Sequence, residues 1–156
     1  MNQNKPQVII ATSTTKGEGK SFISYNIAQS YNALGKKVIL IGADLRNPQV
    51  HTLLGIERGN LGLSTFLNDV NYNDLDKLIV KGKSIDEIDY LLSGAIPPNP
   101  SELLMRPRMK ELLEILKSSY DLIIIDSAPL LLVSDTTPIL PLCDLVVYVS
   151  RAQYSD

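Results

Sequence analysis

A glycine-rich segment that carries a lysine and a serine lies between an apolar run and a stretch of helical period. It reads TTKGEGKS from Thr14 to Ser21, which is the pattern GxxxxGK(S/T) with Thr14 in place of the first glycine. Gly17 and Gly19 let the backbone curl so that several N–H groups point inward, and the start of the following helix adds partial positive charge. The segment therefore predicts a P-loop that binds the phosphates of a nucleotide.

Lys20, Ser21 and Lys16 are the side chains of this loop considered for contacts with phosphate and metal. Lys20 supplies a mobile positive charge for the β and γ phosphates, and we expect it to be solvated and to contribute little to the core. The Ser21 hydroxyl is a neutral oxygen ligand suited to Mg²⁺, so ATP and Mg²⁺ are the predicted cofactors. Lys16 has two interpretations, a phosphate contact or a solvated loop charge. The residues expected to contact the nucleotide are Thr15, Lys16, Gly17, Glu18, Gly19, Lys20, Ser21 and Phe22.

Two aspartates follow apolar runs that are typical of buried strands. Asp126 ends the run 122–125, and Asp44 comes shortly after the run 38–41. The carboxyl ends of parallel strands form the crevice in which ligands bind. Asp126 is predicted to hold a Mg²⁺-bound water, with capping of a turn or helix as the alternative. Asp44 is either a second ligand near the metal or a base, with an ion pair to Arg46 as the alternative.

Short apolar runs alternate with longer stretches of helical period along the chain. This alternation predicts an α/β domain, a P-loop nucleotide-binding fold with a mostly parallel central sheet and helices on both faces. Strands are predicted at 8–11, 38–41, 88–92, 122–125 and 145–149. Helices are predicted at 21–34 and from Ser101 onward with an interruption at Pro107, and short helices are expected within 46–83, one of them around 63–67. Pro97, Pro98 and Pro100 are expected to prevent regular structure between the strand at 88–92 and the helix that begins at Ser101.

Composition places limits on the kinds of protein this chain can be. Its 156 residues, 44% of them hydrophobic, predict a single domain over residues 1–156. A formal net charge of −2 without a basic run argues against nucleic-acid binding. One cysteine, Cys143, excludes a disulfide within the chain and favours a reducing cytosol. The apolar runs are far shorter than the roughly 20 residues that cross a bilayer, and the first six residues lack the apolar core of a signal peptide.

Three blocks together resemble the bacterial tyrosine kinases of capsule and exopolysaccharide systems, which are related to the Min and Par ATPases. The blocks are TSTTKGEGKS at 12–21, ILIGADLRNP at 39–48 and DLIIIDSAP at 121–129. Between them, SGAIPPNPSELL at 93–104 is similar to the proline loop and following helix that separate this family from other P-loop ATPases. The resemblance implies Lys20, Asp44, Arg46 and Asp126 as catalytic residues, and Ser21, Asp44 and Asp126 as metal ligands.

The chain departs from the family pattern at several points. The second motif of the family begins with an aspartate at the position of Gly42, so a carboxylate expected beside the γ-phosphate is absent and reduced activity is predicted. The family's arginine-bearing first helix and tyrosine-rich tail are not found, which suggests a fragment or a minimal form. Min and Par ATPases carry a second lysine at the position of Thr15, and Lys16 is one residue away.

The resemblance implies an autophosphorylating, MgATP-dependent tyrosine kinase that regulates polysaccharide assembly. Its implied partners are ATP and ADP, a transmembrane activator that is separate or fused in the full-length protein, and further copies of itself. Its implied location is cytoplasmic, at the inner face of the membrane. Either Asp44 or Asp126 would attract the tyrosyl proton. The alternatives are a nucleotide-dependent switch or scaffold that transfers nothing, favoured by Gly42, and a Min- or Par-like ATPase.

Overall fold

The structure is a computed structural model that describes residues 5–16, 19–84, 87–129 and 137–152. The strands are β1 (Gln7–Ser13), β2 (Val38–Gly42), β3 (Ile79–Val80), β4 (Asp89–Leu91), β5 (Leu122–Asp126) and β6 (Leu145–Val149). The helices are α1 (Lys20–Ala33), α2 (Val50–Leu54), α3 (Leu63–Asn68), α4 (Leu75–Leu78), α5 (Pro100–Met105) and α6 (Arg108–Lys117), with a 3-10 turn at Leu140–Leu142. None of these helices is long and apolar enough to cross a membrane.

The described strands form one sheet in the order β3-β4-β2-β5-β1-β6. All neighbouring strands run parallel except β3 and β4, which are antiparallel. Strands β2 and β5 are buried along their whole length, which explains why their sequences are apolar without alternation. Because β2 and β1 both pair parallel with β5, these three central strands end side by side at one edge of the sheet.

Two hydrophobic clusters lie on opposite faces of the sheet. Ile9, Leu40 and Ile124 project toward α1 and α2, where they pack in one cluster with Ala28 and Val50. The alternate residues of the same strands belong to the second cluster, which includes residues of α3, α5 and α6. The predicted fold class, a P-loop α/β fold with helices on both faces, is confirmed.

The predicted elements agree with the observed ones to within two residues in β1, β2, β4, β5, β6, α1 and α3. The interruption at Pro107 also occurs, between α5 and α6. Two expectations were incomplete or wrong. The short helices α2 and α4 lie in the segment 46–83, where short helices were expected without bounds, but β3 in the same segment was not predicted. Pro100 was expected to prevent regular structure, yet it begins α5, because the first position of a helix needs no N–H donor.

A buried arginine organises the segment between β2 and β4. The Arg108 guanidinium lies 3.6 Å from the centre of the Phe66 ring, and its Nε donates to the Phe66 carbonyl at 3.1 Å. It also donates to the carbonyls of Asp69 and Tyr72, just beyond the end of α3. These carbonyls lie beyond the end of α3, where helical N–H donors are lacking, and the Asp69 carbonyl also accepts the N–H of Tyr72 at 3.0 Å. This part of the fold depends on a contact between residues far apart in the chain, which periodicity does not reveal.

Candidate nucleotide-binding site

The loop between β1 and α1 turns sharply into the helix over its described part. Gly19 has a φ of 81°, in the left-handed region that glycine adopts without strain, and directly precedes α1. The Ser13 hydroxyl donates to the Thr15 carbonyl at 2.9 Å and tightens the start of the loop. Gly17 and Glu18, both predicted nucleotide contacts, lie outside the described residues. The first two residues of α1, Lys20 and Ser21, contact Asp126 at the end of β5, so the start of α1 lies at the edge where the central strands end.

Asp126 is the centre of a buried network at this edge. Lys20 Nζ lies 2.6 Å from Asp126 Oδ1, and the Ser21 hydroxyl donates to Oδ2 at 2.7 Å. Lys20 is 8% exposed and Asp126 is 1% exposed. The expectation of a solvated lysine was therefore wrong, because its ammonium group neutralises a buried carboxylate. Three of the predicted site residues thus meet in one contact.

Backbone contacts hold Asp126 in place from both neighbouring strands. Asp126 stands opposite Ala11 of β1 and Gly42 of β2 in the sheet register, and its carbonyl accepts the N–H of Ala43 at 2.8 Å. The next residue, Ser127, donates through its N–H and its hydroxyl to the Ala11 carbonyl, at 3.1 and 2.9 Å. The carboxylate is therefore presented on a rigid element.

Asp44 lies just beyond β2 and is 7% exposed. Its Oδ1 accepts the backbone N–H groups of Arg46 at 3.2 Å and Asn47 at 3.0 Å. Burial raises the pKa of Asp44 and the charge of Asp126 adds to this, whereas the Asn47 N–H and the charge of Lys20 act in the opposite direction. A carboxyl group with a raised pKa is a better proton acceptor than an ordinary aspartate, which suits a base.

The Arg46 guanidinium donates to the Ser101 hydroxyl at 3.0 Å. Ser101 is the second residue of α5, so this contact joins the second sequence motif to the helix that follows the proline loop. Ser93, before that loop, makes another link by donating to the Gly42 carbonyl at 2.6 Å. The two family-like blocks thus meet in space, while a catalytic role for Arg46 stays a prediction.

A pocket of about 230 Å³ opens over the network. Its lining residues are Ser13, Lys16, Gly19, Lys20, Ser21, Phe22, Asp44, Asn47, Gln49 and Pro129. Ser13, Asn47, Gln49 and Pro129 were not predicted. Asn47 lies within the second motif block and Gln49 directly follows it, but neither position carries a sequence signal for a nucleotide contact, so tertiary contacts were needed to find them. Phe22 is 59% exposed, and Lys16 is also exposed. The nucleotide contacts of these residues remain predictions.

A side chain at position 42 would point to the same face of the sheet as Asp126. Gly42 and Asp126 are paired in register on neighbouring strands, which lie about 4.8 Å apart in a sheet. A Cβ at Gly42 would meet Ser93 Oγ at 3.1 Å and Val50 Cγ2 at 3.5 Å. An aspartate there would therefore bring a carboxylate next to Asp126, after a small shift of the Ser93 hydroxyl.

The residues present fit a nucleotide with a magnesium ion. Ser21 and Asp126 place a hydroxyl and a carboxylate 2.7 Å apart beside the phosphate lysine. Within the described ranges, no group of three or more His, Cys, Asp or Glu side chains could hold a metal ion. A magnesium ion in a phosphate site needs only one or two protein carboxylates, because phosphates and water supply the other oxygens.

The fold, the loop and the acidic strand ends define a P-loop nucleotide-binding domain. The family model described as an AAA domain matches residues 7–155, so nearly the whole chain belongs to that family. The kinase domain of VpsO is similar, with a TM-score of 0.89 and 33% identity over 100% of this chain and 74% of that one. The kinase domain of the Escherichia coli tyrosine kinase ETK has a TM-score of 0.85 and 35% identity, covering 96% of this chain and 57% of that chain.

The chain belongs to the bacterial tyrosine kinase family, as its sequence motifs indicated. It is 41% identical over 122 residues to the tyrosine-protein kinase YwqD of Bacillus subtilis, which covers 78% of this chain. It spans 50% of the length of YwqD and 17% of the tyrosine-protein kinase etk of Escherichia coli. The MinD protein of Pyrococcus horikoshii shares the fold, with a TM-score of 0.73 at 21% identity.

Proposed function

We propose that this chain is an ATP- and Mg²⁺-binding kinase domain that transfers the γ-phosphoryl group to tyrosine. The observation that carries the proposal is the meeting of Lys20, Ser21 and Asp126 beneath a pocket at the P-loop. Each of these groups has a role in phosphoryl transfer: the lysine would offset the charge of the phosphates, and the hydroxyl and the carboxylate would hold the metal ion. Family membership supports tyrosine as the acceptor.

Nucleotide binding requires an exchange of partners in this site. Lys20 would leave the Asp126 carboxylate for the phosphates, and the Ser21 hydroxyl would turn from Asp126 and become available to hold the metal ion. Mg²⁺, when bound, offsets negative charge on the phosphates. Asp126 is the carboxylate that would help to hold the ion. Because the polar partners already lie within 2.7 Å of one another, the exchange needs side-chain movements rather than refolding.

Asp44 is the better supported of the two candidates for attracting the tyrosyl proton. It lines the pocket and its pKa is raised, chiefly by burial. Asp126 is instead the carboxylate proposed to hold the metal ion together with Ser21. A base must reach the hydroxyl it deprotonates, and a carboxylate committed to the metal is less free to do so.

The biological setting is proposed from the family resemblance. We infer that the kinase regulates capsular or exopolysaccharide assembly at the inner face of the membrane, where a transmembrane activator stimulates it. The greater length of its relatives leaves room for such a segment in the same polypeptide or in a partner. Self-association of the longer form belongs to the same proposal.

A nucleotide-dependent switch is the second candidate function. Gly42 favours it, because the position that would bring a carboxylate next to Asp126 carries no side chain. A switch would bind MgATP through Lys20, Ser21 and Asp126 and transmit the bound state to its partner. It would transfer no phosphoryl group.

Incubation with γ-labelled ATP and a tyrosine-containing polypeptide separates the candidate functions. Labelled phosphotyrosine supports the kinase, release of free phosphate alone supports an ATPase of the Min or Par kind, and tight binding without either product supports the switch. The Lys20→Met variant is the control for contaminating kinases, because it lacks the phosphate lysine. Absence of ATP binding by the unaltered chain would reject all three.

A further inference from the structure

We propose that Ser24 is a positioning residue that holds Asp126 in the nucleotide-bound state. In this proposal the Ser24 hydroxyl takes over the hydrogen bond to Asp126 Oδ1 when Lys20 moves to the phosphates. The inference rests on the proposed nucleotide binding. It concerns a residue outside the phosphate motif, which ends at Ser21.

Ser24 lies one helical turn after Lys20, on the inner face of α1, and is 0% exposed. Its hydroxyl donates to the Lys20 carbonyl at 2.8 Å, and its Oγ is 3.5 Å from Asp126 Oδ1. Lys20 Nζ occupies the same carboxylate oxygen at 2.6 Å. Ser24 therefore lies beside an acceptor that already has a strong donor.

Departure of Lys20 changes the balance between these two acceptors. A hydroxyl has one hydrogen and can donate it to only one acceptor at a time. The Lys20 carbonyl also accepts a helical N–H, so it keeps a partner if the Ser24 hydroxyl turns away. Asp126 Oδ1 would lose its cationic donor in a site that is 1% exposed, and leaving a buried charge without a partner is strongly unfavourable. The hydroxyl is thus expected to rotate toward Asp126.

Ser30, on the same helix, also donates its hydroxyl to a backbone carbonyl and serves as a comparison for Ser24. Ser30 donates to the carbonyl of Asn26, four residues earlier, at 2.9 Å, but on the exposed side of α1. Ser24 makes the equivalent bond on the buried face of α1, which also carries Ala28. A hydroxyl in that apolar face is explained by Asp126, and Ser30 supplies the matched control for the loss of a helical side-chain bond.

The test is a double-mutant cycle on the affinity for ADP with Mg²⁺, measured by titration calorimetry. Ser24→Ala is expected to weaken binding about tenfold in the unaltered chain, the size of a hydrogen bond to a charged group. In an Asp126→Asn background the same substitution should change affinity less than twofold. Ser30→Ala should change it less than twofold in both backgrounds.

An equal loss of affinity in both backgrounds would overturn the role of Ser24, because the residue would then act through the helix and not through Asp126. No loss of affinity in either background would overturn it as well. If Ser24→Ala fails to fold, Ser24→Cys replaces it, since the thiol is a weak donor of similar size and should weaken binding in the same direction. Failure of the unaltered chain to bind ADP with Mg²⁺ overturns the proposed function itself. That outcome differs from intact binding without dependence on Ser24.

Discussion

At the scale of single residues, the buried pair of Lys20 and Asp126 combines a structural role with a proposed binding role. The ammonium and carboxylate groups lie 2.6 Å apart and are almost completely shielded from water. A buried pair is only weak evidence for net stabilisation, but removal of one partner leaves the other charge unpaired. Substitutions in this site therefore affect folding as well as ligand binding, and their controls have to separate the two.

Lys20→Met is expected to abolish tight ATP binding. It should also lower the free energy of unfolding by roughly 3 kcal/mol. This value is the lower end of the range for a broken buried ion pair, because Ser21 still donates to Asp126. Nucleotide titration and urea unfolding measure the two effects. The double variant Lys20→Met with Asp126→Asn should regain much of the stability without regaining affinity. If the Lys20→Met single variant were as stable as the unaltered chain, this account would be contradicted.

Asp44→Asn is expected to stabilise the fold at pH 7. The pKa of Asp44 is raised above its ordinary value of 3.8 in the folded state, chiefly by burial. The folded state therefore holds this proton more tightly than the unfolded state, so stability falls as pH rises from about 3.8 through the raised pKa. The amide keeps an oxygen that can accept the N–H groups of Arg46 and Asn47.

Urea unfolding of Asp44→Asn and the unaltered chain between pH 7 and pH 4.5 checks this expectation. The advantage of the variant should shrink as pH falls, because the aspartate becomes protonated and then resembles the amide. A difference in stability that does not change with pH would rule out the titration of Asp44 as its cause.

At the scale of elements, the chemistry of the site depends on three parallel strands that end together. Strand β5 ends at Asp126, and β2 ends at Gly42, its partner in register. Asp44 follows β2 by two residues, and β4 leads into Ser93, whose hydroxyl donates to the Gly42 carbonyl. Position 42 is therefore enclosed by two strands and the start of a loop.

Gly42→Asp is expected to raise tyrosine phosphorylation by about 10² to 10⁴, the usual contribution of one positioned acid or base, with little change in ATP affinity. The new carboxylate would lie beside Asp126. The new Cβ would lie 3.1 Å from Ser93 Oγ, so the Ser93 hydroxyl would have to shift slightly. Rates with labelled ATP and affinities by titration give the two numbers. Gly42→Ala tests the space alone, and Gly42→Asn tests size without charge. A gain of similar size in Gly42→Asn would show that charge is not the cause.

At the scale of the whole molecule, the proposed site gathers residues that are distant in sequence. The pocket is lined by residues from the β1–α1 loop, from the segment after β2 and from the segment after β5. A ligand that contacts all three segments binds the folded chain and not the unfolded one. Its binding free energy therefore adds to the stability of the domain.

Mg²⁺ with ATP at about 100 times its dissociation constant should stabilise the fold by about 2.7 kcal/mol, which corresponds to a rise of about 5–11 °C in melting temperature. Thermal unfolding with ATP alone and with ATP and Mg²⁺ measures the contribution of the metal. Ser21→Ala and Asp126→Asn should reduce that contribution, because each removes an oxygen that steadies the ion. A magnesium effect of unchanged size in Asp126→Asn would leave this residue with a structural role only.

The local pattern of the sequence was sufficient for the fold class and for most elements near the site. The fully apolar runs of β2 and β5 indicate strands that are buried on both faces, and the period of α1 indicates a helix, because both signals arise within one element. The P-loop pattern likewise depends on neighbouring residues, so Lys20 and Ser21 could be chosen without a structure. The aspartates at the strand ends followed from the geometry of parallel sheets.

Tertiary contacts decided what no local pattern encodes. The pairing of Lys20 with Asp126 joins residues 106 positions apart, and the sequence alone suggested a solvated lysine. The position of Ser24 beside the same carboxylate, and the packing of Arg108 on Phe66, arise in the same way from the crossing of distant segments. Whether a polar group is buried and what satisfies it depends on which elements the fold brings together, because the partners of a buried charge are selected by space and not by sequence distance.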